Sequence, residues 1–170
     1  MGKFIKDIFL IIENEQVLNV NFCIKKKNYQ QNINEKYLQN MLTDAKDLFK
    51  ENYQKYKIIH MVINKFLING NVYSKFLNNI ESKEFNLEIE FLIISDDFII
   101  KIEDVLKNYQ IKITRYLSKN YINNFFNSDE MDLTIKSNKI LNGCNENEVL
   151  VVSKKPKNQG FFEKFFQLFS

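Results

Sequence analysis

Residues Phe85–Ser95 read FNLEIEFLIIS and indicate the fold class more directly than any other part of the chain. From Phe85 to Phe91, apolar and polar residues alternate, which is typical of a strand with one face on a core. The run becomes wholly apolar at Leu92–Ile94, as expected where a strand is covered on both faces. We therefore predict one long strand that passes from a half-covered into a fully covered environment.

Other runs on both sides of this strand predict the remaining elements. Apolar residues at helical spacing, with suitable capping residues before them, predict two main helices and one short helix. β-rich runs predict further strands, and Asn69-Gly70-Asn71 predicts a turn. The predicted strands are Phe4–Ile12, Gln16–Lys25, two strands within Tyr56–Ile68 that a bend at Asn64-Lys65 separates, and Ile111–Leu117. The predicted helices are Asn34–Glu51, Asp96–Tyr109 after Ser95, and Lys119–Phe126. We predict an α+β fold, with a mainly antiparallel sheet, two main helices packed on one face and a C-terminal amphipathic helix.

The composition divides the chain into three segments. Residues 1–127 form the predicted α+β domain, in which Lys25 to Gln31 is predicted to be a loop. Residues 128–159 are polar and then basic, and they predict a linker with weak strands at Leu133–Ile135 and Ile140-Leu141 and one last strand at Val149–Val152. Residues 160–170 form the predicted terminal helix.

The cysteine content and the apolar run lengths indicate the compartment. The chain has two cysteines, in no metal-like spacing, which favours a reducing compartment over a disulfide scaffold. Cys23 lies in an apolar run and is predicted to be a buried thiol. No run reaches the roughly 20 apolar residues that a membrane-spanning helix needs. We therefore expect a cytoplasmic chain.

Residues that could carry catalysis have structural explanations. The single histidine, His60, lies between apolar neighbours and is predicted to be a structural residue of a strand. Asp96 and Asp97 follow Ser95 at a helix start, where capping and the helix dipole explain acidic residues. The four glycines do not form a phosphate-binding loop. We predict that the chain is not an enzyme and that it has no cofactor and no metal ion.

The C-terminal run Gly160–Ser170 has the pattern of an amphipathic helix. At about 100° per residue, its large apolar residues fall within one sector of about 160°. From Ser153 onward, four lysines and one glutamate give a net charge of +3, equal to that of the whole chain. Aromatic rings and lysines arranged in this way predict docking on an anionic membrane surface. The alternative is a terminal helix that covers the domain's own core. The predicted membrane-binding residues are Phe161, Phe162, Phe165, Phe166, Leu168, Phe169, Lys154, Lys155, Lys157 and Lys164.

Together, the core and the tail resemble the bacterial cell-division protein FtsA, an actin-like family of membrane tethers. The family's inserted subdomain contains a strand of the type I-L-H-V followed by F-I-I-D-G, and Ile58–Gly70 is similar to it. Its next strand, of the type L-E-A-x-x-H-I-V-T, is similar to Leu87–Ser95. Gly160-Phe161-Phe162 resembles the start of the family's membrane-targeting helix. The resemblance covers roughly residues 15–127 and 148–170, and the family's nucleotide-binding core has no counterpart here.

The resemblance implies a non-catalytic adaptor of the bacterial divisome at the septum. Such an adaptor binds itself or late division proteins through its α+β domain, and it lies on the inner face of the cell membrane. The resemblance implies neither a nucleic-acid partner nor a small-molecule substrate. The alternative is a nucleic-acid-binding α+β protein that uses Lys25–Lys27, the tail lysines and scattered tyrosines. The neutral charge of residues 1–152 argues against that alternative, because nucleic-acid-binding domains usually carry a clear basic excess.

Overall fold

A computed structural model describes residues 4–13, 15–127 and 131–149, without the side chains of residues 28–31. The described chain is α+β, and its larger sheet is mainly antiparallel, which confirms the predicted class. In chain order the elements are β1 (Asp7–Ile12), β2 (Val17–Ile33), α1 (Glu35–Asn52), β3 (Tyr56–Ile68), β4 (Asn71–Tyr73), β5 (Ile80–Ser95), α2 (Asp96–Lys107), β6 (Lys112–Ser118), α3 (Lys119–Phe126) and α4 (Leu133–Leu141).

The chain folds into two compact units. Within the described residues, unit 1 consists of 4–13, 15–19, Lys55–His60, 92–127 and 131–145, and unit 2 of Val20–Gln54, Met61–Phe91 and 146–149. Strand β1, strand β6 and helices α2 to α4 belong to unit 1, whereas α1, β4 and most of β2, β3 and β5 belong to unit 2. The two main helices are therefore in different units, and their packing on one face of one sheet stays a prediction.

Helix α1 in unit 2 begins where the sequence predicts. The Oδ1 atom of Asn34 accepts a hydrogen bond from the backbone N–H of Tyr37 at 3.0 Å, which satisfies one of the unpaired donors at the helix start. The ring of Phe49 lies 5.2 Å from that of Phe91 in β5, so the helix packs against this strand. The buried face of α1 repeats at helical spacing and consists of Leu38, Met41, Leu42, Ala45 and Phe49.

Strand β5 has the burial pattern that its sequence predicts. It lies inside the four-stranded sheet, whose order is β2-β5-β3-β4. Its alternate apolar residues from Phe85 to Phe91 are buried, and so is every residue of Leu92–Ile94. The predicted turn at Asn69-Gly70 is also present, and it joins β3 to the short antiparallel strand β4. Both of its central residues have positive φ, 50° and 83°, as in the tight turns that suit the twist of a hairpin.

The predicted bend at Asn64-Lys65 is wrong, because β3 runs without interruption from Tyr56 to Ile68. The predicted loop from Lys25 to Gln31 is also wrong, because β2 continues to Ile33. Lys25 pairs with Glu84 at 2.6 Å, and Lys26 forms an ion pair with Asp44. These acidic partners are distant in sequence, so the local run of lysines gave no sign of them.

The prediction of a buried Cys23 is wrong too, because its side chain is exposed. Its neighbour Phe22 packs edge-to-face on Phe91, with ring centroids 5.1 Å apart. Successive residues of a strand face opposite sides, so Cys23 faces away from that contact.

Unit 1 is built on a two-stranded parallel sheet, which the sequence did not predict. Strand β1 pairs with β6 from Asp7 opposite Lys112 to Ile12 opposite Ser118, with an irregularity after Ile8. Helices α2 and α3 pack against β6, and α3 packs against α4. A buried cluster of Leu117, Ile122 and Ile140 joins β6, α3 and α4.

The predicted weak strands at Leu133–Ile135 and Ile140-Leu141 are wrong, because both lie in helix α4. Asp132 caps this helix, with Oδ1 accepting a hydrogen bond from the N–H of Thr134 at 2.7 Å. Leu133, Ile140 and Leu141 are spaced as i, i+7 and i+8, so all three reach the cluster around Leu117 on one side of a helix. The domain boundaries at residues 127 and 159 stay predictions.

The last described residues run along β3 in unit 2. The N–H of Ile63 donates to the carbonyl of Asn147 at 2.9 Å, and the N–H of Val149 donates to the carbonyl of Met61 at 2.8 Å. Val62 and Glu148 thereby form an antiparallel bridge. The rest of the predicted strand Val149–Val152 and the predicted terminal helix lie outside the described residues.

Candidate functional site

All ten predicted membrane-binding residues lie outside the described residues. They are Phe161, Phe162, Phe165, Phe166, Leu168, Phe169, Lys154, Lys155, Lys157 and Lys164. The last described residue before them is Val149, whose backbone N–H donates to the carbonyl of Met61.

The main candidate for a binding site in the described chain is an apolar surface of unit 1. Of the ten large hydrophobic residues that are exposed in the described chain, eight belong to unit 1. Phe4 is 94% exposed and Tyr109 is 71% exposed, while Ile5 and Val105 are more than half exposed. Exposed apolar residues that form a contiguous patch mark interaction sites more often than residues scattered singly, so the positions of these residues in the fold matter.

Backbone pairing brings two parts of this surface to one end of the small sheet. The N–H of Lys112 donates to the carbonyl of Lys6 at 2.8 Å. Because β1 and β6 are parallel, the residues before both strands lie at the same end. Phe4 and Ile5 precede β1, and Tyr109 precedes β6. Val105 lies in the last turn of α2, four residues before Tyr109. We call these four exposed residues, Phe4, Ile5, Val105 and Tyr109, the unit 1 apolar surface.

Only part of this surface could be predicted from the sequence. The run Phe4–Ile12 predicts one strand, but β1 begins at Asp7 and leaves Phe4 and Ile5 outside the ladder. The charged residues Lys6 and Asp7 interrupt the apolar run at this point. That interruption is the local signal that could have separated an exposed part from a packed part.

His60 has a structural environment, as predicted. It is 2% exposed, and its Nε2 atom accepts a hydrogen bond from the backbone N–H of Ser118 at 3.0 Å. Its ring centroid lies 4.3 Å from that of Tyr121. The hydroxyl of Tyr121 in turn accepts from Asn145 Nδ2 at 2.8 Å. Since the Ser118 bond occupies Nε2, this histidine joins β3 to the end of β6.

The acidic residues at the start of α2 also lie in a structural setting. The Oγ atom of Ser95 accepts from the N–H of Phe98 at 3.3 Å, which confirms the predicted cap. The N–H of Asp96 donates to the carbonyl of Lys55 at 2.9 Å. Asp96 and Asp97 occupy the first turn, where the helix dipole favours negative charge.

A hydrogen bond between helix α2 and strand β6 has no signal in the sequence. The hydroxyl of Tyr116, in β6, donates to Glu103 Oε1, in α2, at 2.5 Å. Burial, and then the Glu103 carboxylate, raises the pKa of Tyr116 above its ordinary value. The ammonium group of Lys57 lies 4.8 Å from the centre of the Tyr116 ring.

Two further classes of site are absent from the described part of the chain. Within residues 4–13, 15–127 and 131–149, no three His, Cys, Asp or Glu side chains are grouped so that they could hold a metal ion. Within the same residues, no helix has both the length and the apolar character needed to cross a membrane.

Comparison with known proteins gives no relative: no protein family and no curated protein sequence matches this chain.

Proposed function

We propose that this chain is a non-catalytic, membrane-associated adaptor in bacterial cell division, similar to the interaction subdomain of FtsA. In this proposal it binds a second copy of itself or late division proteins, and it lies on the cytoplasmic face of the cell membrane. The observation that carries the proposal is the unit 1 apolar surface, on which Phe4 and Tyr109 are largely exposed. When a protein partner covers exposed apolar residues of this kind, their removal from water favours binding.

The buried polar groups support an adaptor over an enzyme. His60 and Ser118 are hydrogen-bonded to each other inside unit 1. In such a position the imidazole has a structural task, because it accepts a buried N–H that is costly to leave unpaired.

The charge pairing of β2 favours the adaptor over the nucleic-acid-binding alternative. Lys25 and Lys26 each face a carboxylate, on Glu84 and Asp44. A carboxylate beside an ammonium group reduces the local positive potential, and so weakens the attraction of that ammonium group for a phosphate backbone. The alternative predicts strong, salt-sensitive retention of the chain on immobilised nucleic acid, after removal of the residues beyond Pro156.

The membrane part of the proposal comes from the terminal residues. Its test is flotation with liposomes of anionic lipid, in which the intact chain is compared with a chain that ends at Pro156. The intact chain is expected to float, and the shortened chain to stay at the bottom of the gradient. Liposomes of neutral lipid serve as the control, because the four tail lysines act only on anionic headgroups. Equal flotation of the two chains would contradict membrane docking.

The protein-binding part has a separate test. Val105→Asp and Tyr109→Asp place charge on the unit 1 apolar surface, whereas Val72→Asp places it on an exposed apolar residue of unit 2. Self-association, measured by sedimentation equilibrium, and capture of purified division proteins are the two readouts. The unit 1 variants are expected to lose binding while Val72→Asp retains it. Loss of binding in all three variants, or in none, would argue against this surface.

A further inference from the structure

A cavity of about 370 Å³ lies in unit 1, where the C-terminal end of α2 meets the start of β6. This volume is in the range of pockets that hold small organic ligands. Helix α2 contributes two residues one turn apart, the turn contributes two, and β6 contributes two. The lining residues are Glu103, Lys107, Gln110, Ile111, Lys112 and Ile113.

The turn that forms one wall of the cavity is fixed by backbone hydrogen bonds. The carbonyl of Leu106 accepts from the N–H groups of Tyr109 and Ile111, at 3.0 Å and 3.1 Å. The carbonyl of Lys107 accepts from the N–H of Gln110 at 3.0 Å, and Gln110 has a φ of 58°. These bonds satisfy carbonyls that would otherwise attract a cation to the end of the helix.

The side chains give the cavity a positive character. Lys107 and Lys112 form no ion pair with another residue of the described segments. Glu103 is the one acidic residue of the lining, and its Oε1 atom already accepts the hydroxyl of Tyr116 at 2.5 Å. The Glu103 carboxylate keeps its charge, but two ammonium groups against one carboxylate leave the lining with a net positive charge, which favours an anionic ligand.

The apolar part of the lining adds a second requirement. Ile111 is half-buried and Ile113 is buried, and both contribute to the wall that continues from the turn into β6. A ligand that fits both features has an aliphatic or aromatic body and one carboxylate.

We propose that this cavity binds a small amphipathic carboxylate. Its body lies on Ile111 and Ile113, and its carboxylate contacts the ammonium groups of Lys107 and Lys112. The same chemistry occurs in a free short-chain acid and at the C-terminus of a peptide that ends in an apolar residue. This site does not depend on the proposed adaptor function, because none of its residues belongs to the unit 1 apolar surface or to the tail.

Titration of the full chain, followed by amide chemical shifts in NMR spectra, tests the proposal. Four probes are compared: hexanoate, hexylamine, N-acetyl-phenylalanine and its amide. The carboxylates are expected to shift the amides of residues 103–113 with dissociation constants near about 1 mM, a normal affinity for so small a ligand. The amine and the amide lack the carboxylate and are expected to leave these signals in place.

Variants show whether the two lysines act as proposed. Lys107→Gln and Lys112→Gln are each expected to weaken carboxylate binding by about threefold, as for one partly exposed ion pair. Lys101→Gln is the matched control, because Lys101 lies in the same helix but outside the lining, and it should bind like the original chain. All three lysines are exposed, so the variants should fold normally.

Binding of both carboxylates, or of either one alone, supports the proposal. Binding of hexanoate alone identifies a free acid as the ligand, and binding of N-acetyl-phenylalanine alone identifies a peptide C-terminus. The proposal is overturned if neither carboxylate shifts residues 103–113 at about 10 mM, a concentration well above the expected dissociation constant. Equal binding of hexanoate and hexylamine, or equal affinity of the two lysine variants and Lys101→Gln, would overturn it as well.

Discussion

The hydroxyl of Tyr116 donates a 2.5 Å hydrogen bond to Glu103 and so connects strand β6 to helix α2. Tyr116 is 4% exposed, whereas Glu103 lies on the outer side of its helix. A hydrogen bond to an ionised group is stronger than one between neutral groups. This hydrogen bond joins the exposed Glu103 carboxylate on α2 to the buried Tyr116 on β6, and so holds the helix beside the strand.

Replacement of Tyr116 by Phe is expected to lower the free energy of unfolding by about 1 kcal/mol. The variant keeps the ring and loses one charge-assisted hydrogen bond, and the exposed Glu103 carboxylate can be hydrated instead. Urea unfolding measures the change. Tyr109→Phe is the matched control, since that tyrosine is 71% exposed and should change stability by less than about 0.5 kcal/mol. A loss in the control as large as that in Tyr116→Phe would refute the assignment.

The same bond predicts a loss of stability at alkaline pH. Burial and the Glu103 carboxylate raise the pKa of Tyr116 above its ordinary value, so the folded chain retains a proton that the unfolded chain releases above about pH 10. Stability falls with rising pH wherever the folded state binds more protons. The original chain should therefore lose stability above about pH 10, and Tyr116→Phe should lose less. Identical alkaline slopes of the two unfolding curves would show that Tyr116 is not responsible.

Local patterns in the sequence were sufficient to predict several helices and strands. Helices α1 and α2 begin after a side chain that caps the first turn, Asn34 and Ser95, and both caps are present in the structure. Strand β5 shows its burial in the alternation from Phe85 to Phe91. In these cases the residues that define the element lie next to one another in the chain.

Other features depend on partners that are distant in sequence. Strand β2 extends beyond its predicted end at Lys25, and the carboxylate that pairs with Lys25, on Glu84, lies 59 residues further on. The parallel pairing of β1 with β6 joins Asp7 to Lys112, and nothing in either strand alone specifies that partner. The contact between Tyr116 and Glu103 also depends on how a helix packs on a strand. The cavity beside Glu103 depends on the same packing, so no local pattern of residues predicts it.

The side chain of Asn69 connects the turn between β3 and β4 to the beginning of β5. The Oδ1 atom of Asn69 accepts from the N–H of Lys83 at 2.9 Å and from the hydroxyl of Ser82 at 3.1 Å. Asn69→Ala is expected to lower the free energy of unfolding by about 2 kcal/mol, because it loses these bonds and disfavours a φ of 50°. Asn71→Ala, at an exposed position of the same hairpin, is the control for urea unfolding. Equal effects at both positions would contradict a special role for Asn69.

The position of His60 predicts a large effect on stability. His60→Ala removes a buried ring and the acceptor of the Ser118 N–H, and we expect a loss of about 3 kcal/mol. His60→Phe retains a ring beside Tyr121 but leaves the same N–H unpaired, so it should lose about half as much. Urea unfolding of both variants separates packing from hydrogen bonding. If His60→Phe were as stable as the original chain, the bond to Ser118 would contribute nothing.

The cap of helix α4 should respond to acid. The backbone N–H of Thr134 donates to Asp132 and lowers the pKa of that carboxyl below its ordinary value. A carboxyl whose pKa is lower in the folded chain stabilises the fold at pH values above its pKa in the unfolded chain. This contribution is lost as the pH falls through the pKa of the folded chain. Asp132→Asn keeps an oxygen acceptor for the cap and cannot titrate. We therefore expect the original chain to lose more stability than Asp132→Asn when the pH falls below about 4.

Helical circular dichroism and urea unfolding between neutral and acid pH measure this difference. Asp132→Ala removes the acceptor altogether and should be less stable than Asp132→Asn at every pH, because the N–H of Thr134 loses its cap. Such a result would also confirm in solution that residues 133–141 form a helix, since strands at Leu133–Ile135 and Ile140-Leu141 have no helical N-terminus to cap. If the original chain and Asp132→Asn lost stability in parallel, the carboxylate of Asp132 would have no part in the acid response.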